Sequence, residues 1–213
     1  MANERYENFY PLSLEIKGYK SIEDSFKKYI QGEVISDYQC DSCKKKTDVT
    51  KSCYLASTPN YFIIHLTRMC FNYDKFENEK VNSRWDFPHK LNLWEYSLDK
   101  LKGNLSAKED YDYELKGTVL HYGTADFGHY FSYIRESENQ WIEFNDERVR
   151  EYDPRDIESD CFGGENWRRE SQNSYLLVFE KVKKRPVVLE FDTEEEKEAA
   201  LSQFGLKKCV VET

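Results

Sequence analysis

The run Gly128-His129-Tyr130-Phe131-Ser132-Tyr133-Ile134 is followed, after Glu136-Ser137-Glu138-Asn139, by Trp141-Ile142-Glu143-Phe144-Asn145-Asp146. Both runs are rich in aromatic and β-branched residues and a polar turn separates them, which predicts antiparallel strands over 129 to 135 and 140 to 145. In such a hairpin the start of the first strand lies opposite the end of the second. His129 and Asn145, sixteen residues apart, are therefore expected close together in space. A histidine at a loop-to-strand junction is rigidly held yet faces a site reached through a loop, as a general base requires, and a neighbouring Asn or Asp can orient its ring. An ordinary hairpin ending in a turn-forming Asn-Asp shows the same spacing, and spacing alone does not choose between the two.

Working outward, a strand at 111 to 122 precedes the Gly123 to Gly128 loop, and a last strand runs from Tyr175 to Val182. Nearer the start, Tyr10, Leu12, Leu14 and Ile16 alternate at period two, the mark of a half-buried strand. Ser21, with Asp24 three residues on, opens a helix over 21 to 31 in which Ile22, Phe26, Tyr29 and Ile30 recur at helical spacing up to Gly32. Val49 to Tyr54 and Tyr61 to Thr67, around Thr58-Pro59-Asn60, predict another hairpin. Residues 72 to 84 read as a charged loop, Leu91 and Leu93 as a short strand, and 97 to 110 as a polar connection. The sum is an α+β chain, mostly antiparallel β with few helices. The main domain is expected to span 1–182, with 183–213 a linker and a short helix around Ala199 to Phe204.

Of the 213 residues 33% are charged, yet 15% are aromatic, so the chain has the means to build a core beneath a well-solvated surface. Its formal charge of -9 argues against nucleic acid and for a basic protein partner. No apolar run reaches the length of a membrane span and no signal peptide opens the chain, which suggests a cytoplasmic or nuclear protein with no membrane partner. Among the 6 cysteines, only Cys40 and Cys43 are spaced as metal ligands. They make half of a tetrahedral zinc site or a knuckle that folds without metal. His65, inside Phe62-Ile63-Ile64-His65-Leu66, reads as a structural histidine, and His89 and His121 lack a catalytic setting.

Tyr122-Gly123 through Gly128-His129-Tyr130-Phe131-Ser132-Tyr133, with Trp141, Phe144-Asn145-Asp146 and Val149, resembles the histidine box of ubiquitin-specific proteases. Tyr10-Pro11-Leu12-Ser13-Leu14, Tyr38-Gln39-Cys40-Asp41-Ser42-Cys43, Lys80-Val81-Asn82, Phe87-Pro88 with Leu91, Leu93 and Tyr96, and Ser174-Tyr175-Leu176-Leu177-Val178-Phe179-Glu180 match that family's fingers and palm in order. The likeness covers about residues 9 to 182 and points to the branch of large proteins that includes the fat-facets-like enzymes.

The resemblance implies the fingers and palm of a papain-like domain without its helical thumb, acting on ubiquitin or ubiquitin conjugates with no catalytic cofactor. A cysteine thiolate would hydrolyse the bond after ubiquitin's C-terminal glycine. Carried over by position, His129 is the base, Asn145 the orienting residue and Asp146 a helper, while Gly128 and Tyr130 line the channel for ubiquitin's tail. The family's Gly-Asn-Thr-Cys-Tyr box is absent, so the nucleophile is expected upstream of this chain, which alone would be inactive. Ser52-Cys53-Tyr54 imitates that box but lies where the family has a strand, so Cys53 is expected in a strand. The first of the two Cys pairs that complete the fingers' zinc site is also missing. A non-catalytic ubiquitin-binding module is the alternative the resemblance leaves open.

Overall fold

The computed structural model describes residues 4–40, 43–138, 140–164, 171–186, 193 and 195. The chain divides into two compact units, Met1–Lys183 and Lys184–Thr213. The helix expected near 199 to 204 lies outside the described residues.

The first unit opens with β1 (Leu12–Leu14), which buries Leu12 and Leu14. Helix α1 (Ile22–Gln31) starts where the sequence places it: the Ser21 side chain accepts from the Asp24 backbone N–H, and Gly32 ends it at φ 80. Next come β2 (Glu33–Gln39) and β3 (Lys46–Lys51), which among the described residues pair only with each other, then β4 (Tyr61–Leu66). β5 (Met69–Asn72) and β6 (Glu77–Lys80) form a second two-stranded ribbon, followed by β7 (Lys90–Asn92) and α2 (Leu98–Leu101). The remainder is β8 (Asp112–Gly123), β9 (Gly128–Ser137), β10 (Gln140–Asn145), β11 (Arg148–Tyr152), α3 (Ile157–Cys161) and β12 (Gln172–Lys181).

Eight strands make the main sheet in the order β1-β4-β12-β8-β9-β10-β11, with β7 also on β8; β1 and β4 are parallel and the other pairs antiparallel. Alternate residues Phe62, Ile64 and Leu66 of β4 are fully buried, as are Leu120 of β8 and Leu177 and Phe179 of β12. They join Phe26 of α1, Trp85 and Leu93 in one hydrophobic cluster. No helix among the described residues is long and apolar enough to cross a membrane.

Three sequence expectations are corrected. β3 and β4 do not form the hairpin expected over 49 to 67: β3 pairs with β2, and β4 lies between β1 and β12. The intervening chain crosses the core, where Leu55 is buried and exchanges backbone hydrogen bonds with Tyr96 and Leu98. Cys53 therefore lies beyond β3, outside any strand and exposed to solvent. The charged stretch at 72 to 84 includes a β-ribbon rather than a loop alone, its turn closed by Asn72 Oδ1 accepting from the N–H groups of Asp74 and Lys75.

One buried cation ties these elements together. The fully buried Arg68 donates Nε to the Ser174 carbonyl at 2.7 Å, Nη1 to those of Val81 at 2.8 Å and Ser83 at 3.3 Å, and Nη2 to that of Phe162 at 3.2 Å. Burial lowers its pKa to about 10. Arg68→Met fills similar space but strips four carbonyls of a donor, so a loss on the order of 3 kcal/mol is expected. A drop in the urea midpoint at constant slope would register it, and an unchanged midpoint would contradict the bracing role.

Candidate active site on the β8–β9–β10 edge

β8 and β9 pair from Gly117↔Ile134 to Gly123↔Gly128, and the loop between them is tied by Thr124 N–H to the Phe127 carbonyl at 2.7 Å. Both glycines that close this loop are required. Gly123 sits at φ +128, and a Cβ on Gly128 would lie 2.0 Å from His121 Nε2. The His121 ring thus packs directly over Gly128, the first residue of β9, and His129 follows it.

Phe144 pairs with Ser132, so Asn145 lies diagonally across from His129 on the same face of the sheet. His129 Nε2 and Asn145 Oδ1 are 2.7 Å apart, and Asp146 Oδ2 is 3.7 Å from the same nitrogen. Asp146 turns at φ 52, a conformation that Asp and Asn tolerate better than most residues. Among the described residues no hydrogen bond reaches His129 Nδ1. The ring is half-exposed and lies near Phe131, centroids 6.2 Å apart.

Asn145 lies on the buried side of β10. Phe144 is 40% exposed, whereas Trp141 and Glu143, which share Asn145's side, are buried. The register therefore follows Trp141, and Asn145 is the partly open end of a buried row.

The structure adds residues that sequence reasoning left without a role. Lys80 of β6 donates Nζ to the carbonyls of His121 at 2.9 Å, Gly123 at 3.3 Å and Ser171, and Asn78 Nδ2 reaches Asp126 Oδ1 at 2.9 Å. The β5–β6 ribbon thus fixes the loop that leads to His129. Burial, with the Arg68 charge, lowers the Lys80 pKa to about 8. Tyr130 faces the His121 and Tyr175 rings, at 4.6 and 5.3 Å between centroids, and is itself half-exposed. Burial of its hydroxyl and the nearby Tyr175 raise its pKa. His65 packs edge-on against the same Tyr175, centroids 4.8 Å apart; its Nδ1 is 3.1 Å from Ser13 Oγ, and burial lowers its pKa.

Cys40 and Cys43 lie between β2 and β3, where Lys44 N–H donates to the Cys40 carbonyl at 2.8 Å. Among the described residues no group of three or more His, Cys, Asp or Glu could hold a metal ion. Two thiolates do not fit a structural zinc, which takes four ligands. Protein prepared without chelator is expected to hold well under one zinc per chain by elemental analysis, and one tightly held zinc would show recruitment of further ligands.

The sheet with its two ribbons is the strand-rich α+β fold of ubiquitin-specific protease catalytic domains. The chain belongs to the ubiquitin carboxyl-terminal hydrolase family, whose model matches residues 12–179. It is 29% identical over 223 residues to human ubiquitin carboxyl-terminal hydrolase 24, a match covering 84% of this chain and 8% of that protein. It is 30% identical over 227 residues to the probable ubiquitin carboxyl-terminal hydrolase FAF of Drosophila melanogaster, covering 89% of this chain and 8% of that protein. The chain thus spans under a tenth of these relatives' length. A solved SAGA DUB module, Ubp8/Sgf11/Sus1/Sgf73 bound to ubiquitin aldehyde, contains a chain similar in fold at a TM-score of 0.66 and 26% identity, covering 82% of this chain and 36% of that one.

Proposed function

We propose that this chain supplies the base and its orienting partner for thiol-dependent hydrolysis of the bond after ubiquitin's C-terminal glycine. The observation that carries the reading is the 2.7 Å contact between His129 Nε2 and Asn145 Oδ1. An amide oxygen accepts only, so Nε2 holds the proton and Nδ1 keeps its lone pair. Nδ1 is then the base: it takes the proton of a cysteine thiol, the thiolate attacks the carbonyl, and the imidazolium returns the proton to the departing amine. Water then hydrolyses the thioester, with His129 again as base. Asp146, close to Nε2, supports the imidazolium, and Gly128 and Tyr130 line the approach of ubiquitin's extended tail.

The cysteine itself comes from outside this chain. Cys53 belongs to an exposed connection next to Leu55, whose main chain is committed to Tyr96 and Leu98. Ubiquitin bearing a C-terminal electrophile tests both halves of the reading. The 213-residue chain is expected to bind it reversibly and saturably, to form no covalent adduct, and to leave ubiquitin conjugates uncleaved. Absence of binding would remove the ubiquitin assignment, and labelling of Cys53 would relocate the nucleophile.

A further inference from the structure

Asn145 is symmetric in shape but not in chemistry: one end of its amide accepts a hydrogen bond and the other donates. If the NH2 end faced His129, Nε2 would have to accept, the ring proton would move to Nδ1, and the base would be lost. Something must therefore choose the end. Asn145's other neighbour is Glu143, two residues back on the same buried face of β10, with Asn145 Nδ2 3.5 Å from Glu143 Oε1. The Glu143 side chain is only 4% exposed, and Arg150 of β11 donates both Nε, at 3.0 Å, and Nη2, at 2.7 Å, to its other oxygen, Oε2.

We infer that Glu143, held in place by Arg150, is a positioning residue that fixes the Asn145 amide so that its oxygen faces His129. A carboxylate hydrogen-bonded by a guanidinium offers acceptors alone. Arg150 occupies Oε2, which leaves Oε1 to demand the NH2 end of Asn145. At 3.5 Å the contact is long, so its force is chiefly that of a buried charge on the positive end of the amide dipole. The reverse amide would set oxygen against carboxylate in a buried place. The order Arg150, Glu143, Asn145, His129 thus transmits one choice of polarity across the β9–β10–β11 strands to the ring. Asp146, 3.7 Å from Nε2, favours the same tautomer, but it is 77% exposed and water weakens its field.

The inference deepens the assignment of His129 as base and rests on it, yet its test reads the ring rather than turnover, so the two can fail separately. Long-range proton–nitrogen spectra of the full chain, labelled with nitrogen-15 in histidine, report which nitrogen carries the proton. They are recorded about two pH units above the ordinary histidine value near 6.5. The parent chain is expected to show mostly the Nε2–H form of His129. Glu143→Gln should invert that ratio, because Arg150 will hold the Gln oxygen and turn its NH2 toward Asn145, which must then reverse. Adding Arg150→Leu to Glu143→Gln frees the Gln oxygen for Asn145 and should restore the Nε2–H form. Asp146→Asn should leave the ratio near that of the parent. An Nδ1–H majority in the parent chain overturns the inference without any variant having to fold. An unchanged ratio in a folded Glu143→Gln, or an inversion produced by Asp146→Asn, overturns it equally.

Discussion

His129→Ala, in a polypeptide carrying the cysteine upstream, is expected to lose turnover by on the order of 10⁴ to 10⁶ in kcat. Without an imidazole at Nδ1's place the thiol keeps its proton at neutral pH, and the departing amine has no acid to protonate it. Both half-reactions lose the same group, so the loss should fall on kcat. Ubiquitin binding should change by no more than about twofold, because the ring, half-exposed, contributes little of the area that holds a protein partner. Fold should also survive: the ring's described polar contacts go to the open end of the β10 strand, and the core cluster lies elsewhere. Measured on a fluorogenic ubiquitin substrate, with binding followed separately, retained turnover in His129→Ala would remove the catalytic assignment. Lost binding with lost turnover would instead point to a structural role for the ring.

The β8, β9 and β10 strands were legible in the sequence because each carries aromatic and branched residues with one buried face, which leaves a period of two that local inspection finds. β2 was invisible for the opposite reason. All seven of its residues are exposed, so burial imposes no alternation on Glu33–Gln39. β6 shows no alternation either: Glu77 and Asn78 are exposed and Glu79 and Lys80 half-buried, on a ribbon that leaves the main sheet. The hairpin assigned to 49 to 67 failed on a different count. Both segments are extended, but β4 finds its partners in Leu12–Leu14 and Gln172–Lys181, far away along the chain. Short connections are only a prior, and the fully apolar face of Phe62, Ile64 and Leu66 suited a central strand better than an edge.

At the site, register was readable and polarity was not. The juxtaposition of His129 and Asn145 needed only the turn position and the antiparallel rule, whereas the side Asn145 faces needed to be counted from Trp141 rather than Phe144. Glu143 gave a signal that went unused: an acidic residue two places before Asn145, on the row of a tryptophan, must be paired if that row is buried. Lys80 stands in a segment that matches the family, but nothing local pointed to its role, since its three carbonyl partners come from residues 41 or more positions away.

Asn145→Ala is expected to cost at least about tenfold more in kcat/KM than any change confined to the charge of Asp146, with a loss approaching 10⁴ if tautomer control is complete. The two neighbours of Nε2 offer different things. Asn145 Oδ1, at 2.7 Å, accepts a full hydrogen bond and so sets both the ring's plane and the nitrogen that keeps its proton. Asp146 Oδ2, at 3.7 Å, is beyond hydrogen-bond range and contributes field alone. An exposed ion pair of this kind contributes about 1 kcal/mol or less, which bounds its share of imidazolium stabilisation at under about sixfold in rate. Asp146→Asn is the informative change, because Asp146 lies at φ 52, where an alanine would add backbone strain to the loss of charge. Its effect should shrink further as salt is raised, since screening removes an exposed field and leaves a direct hydrogen bond untouched. Asn145→Ala should keep its deficit at every ionic strength. Steady-state kinetics of both variants at low and high salt separate the roles, and a greater loss in Asp146→Asn than in Asn145→Ala would exchange them. Asn145→Asp completes the comparison: it retains the acceptor and adds charge, but brings a second carboxylate beside the buried Glu143, 3.5 Å from where the amide nitrogen now stands. That repulsion should turn the new side chain from its place and leave Asn145→Asp below the parent in rate, although an acidic residue at this position is otherwise a competent partner for a histidine base.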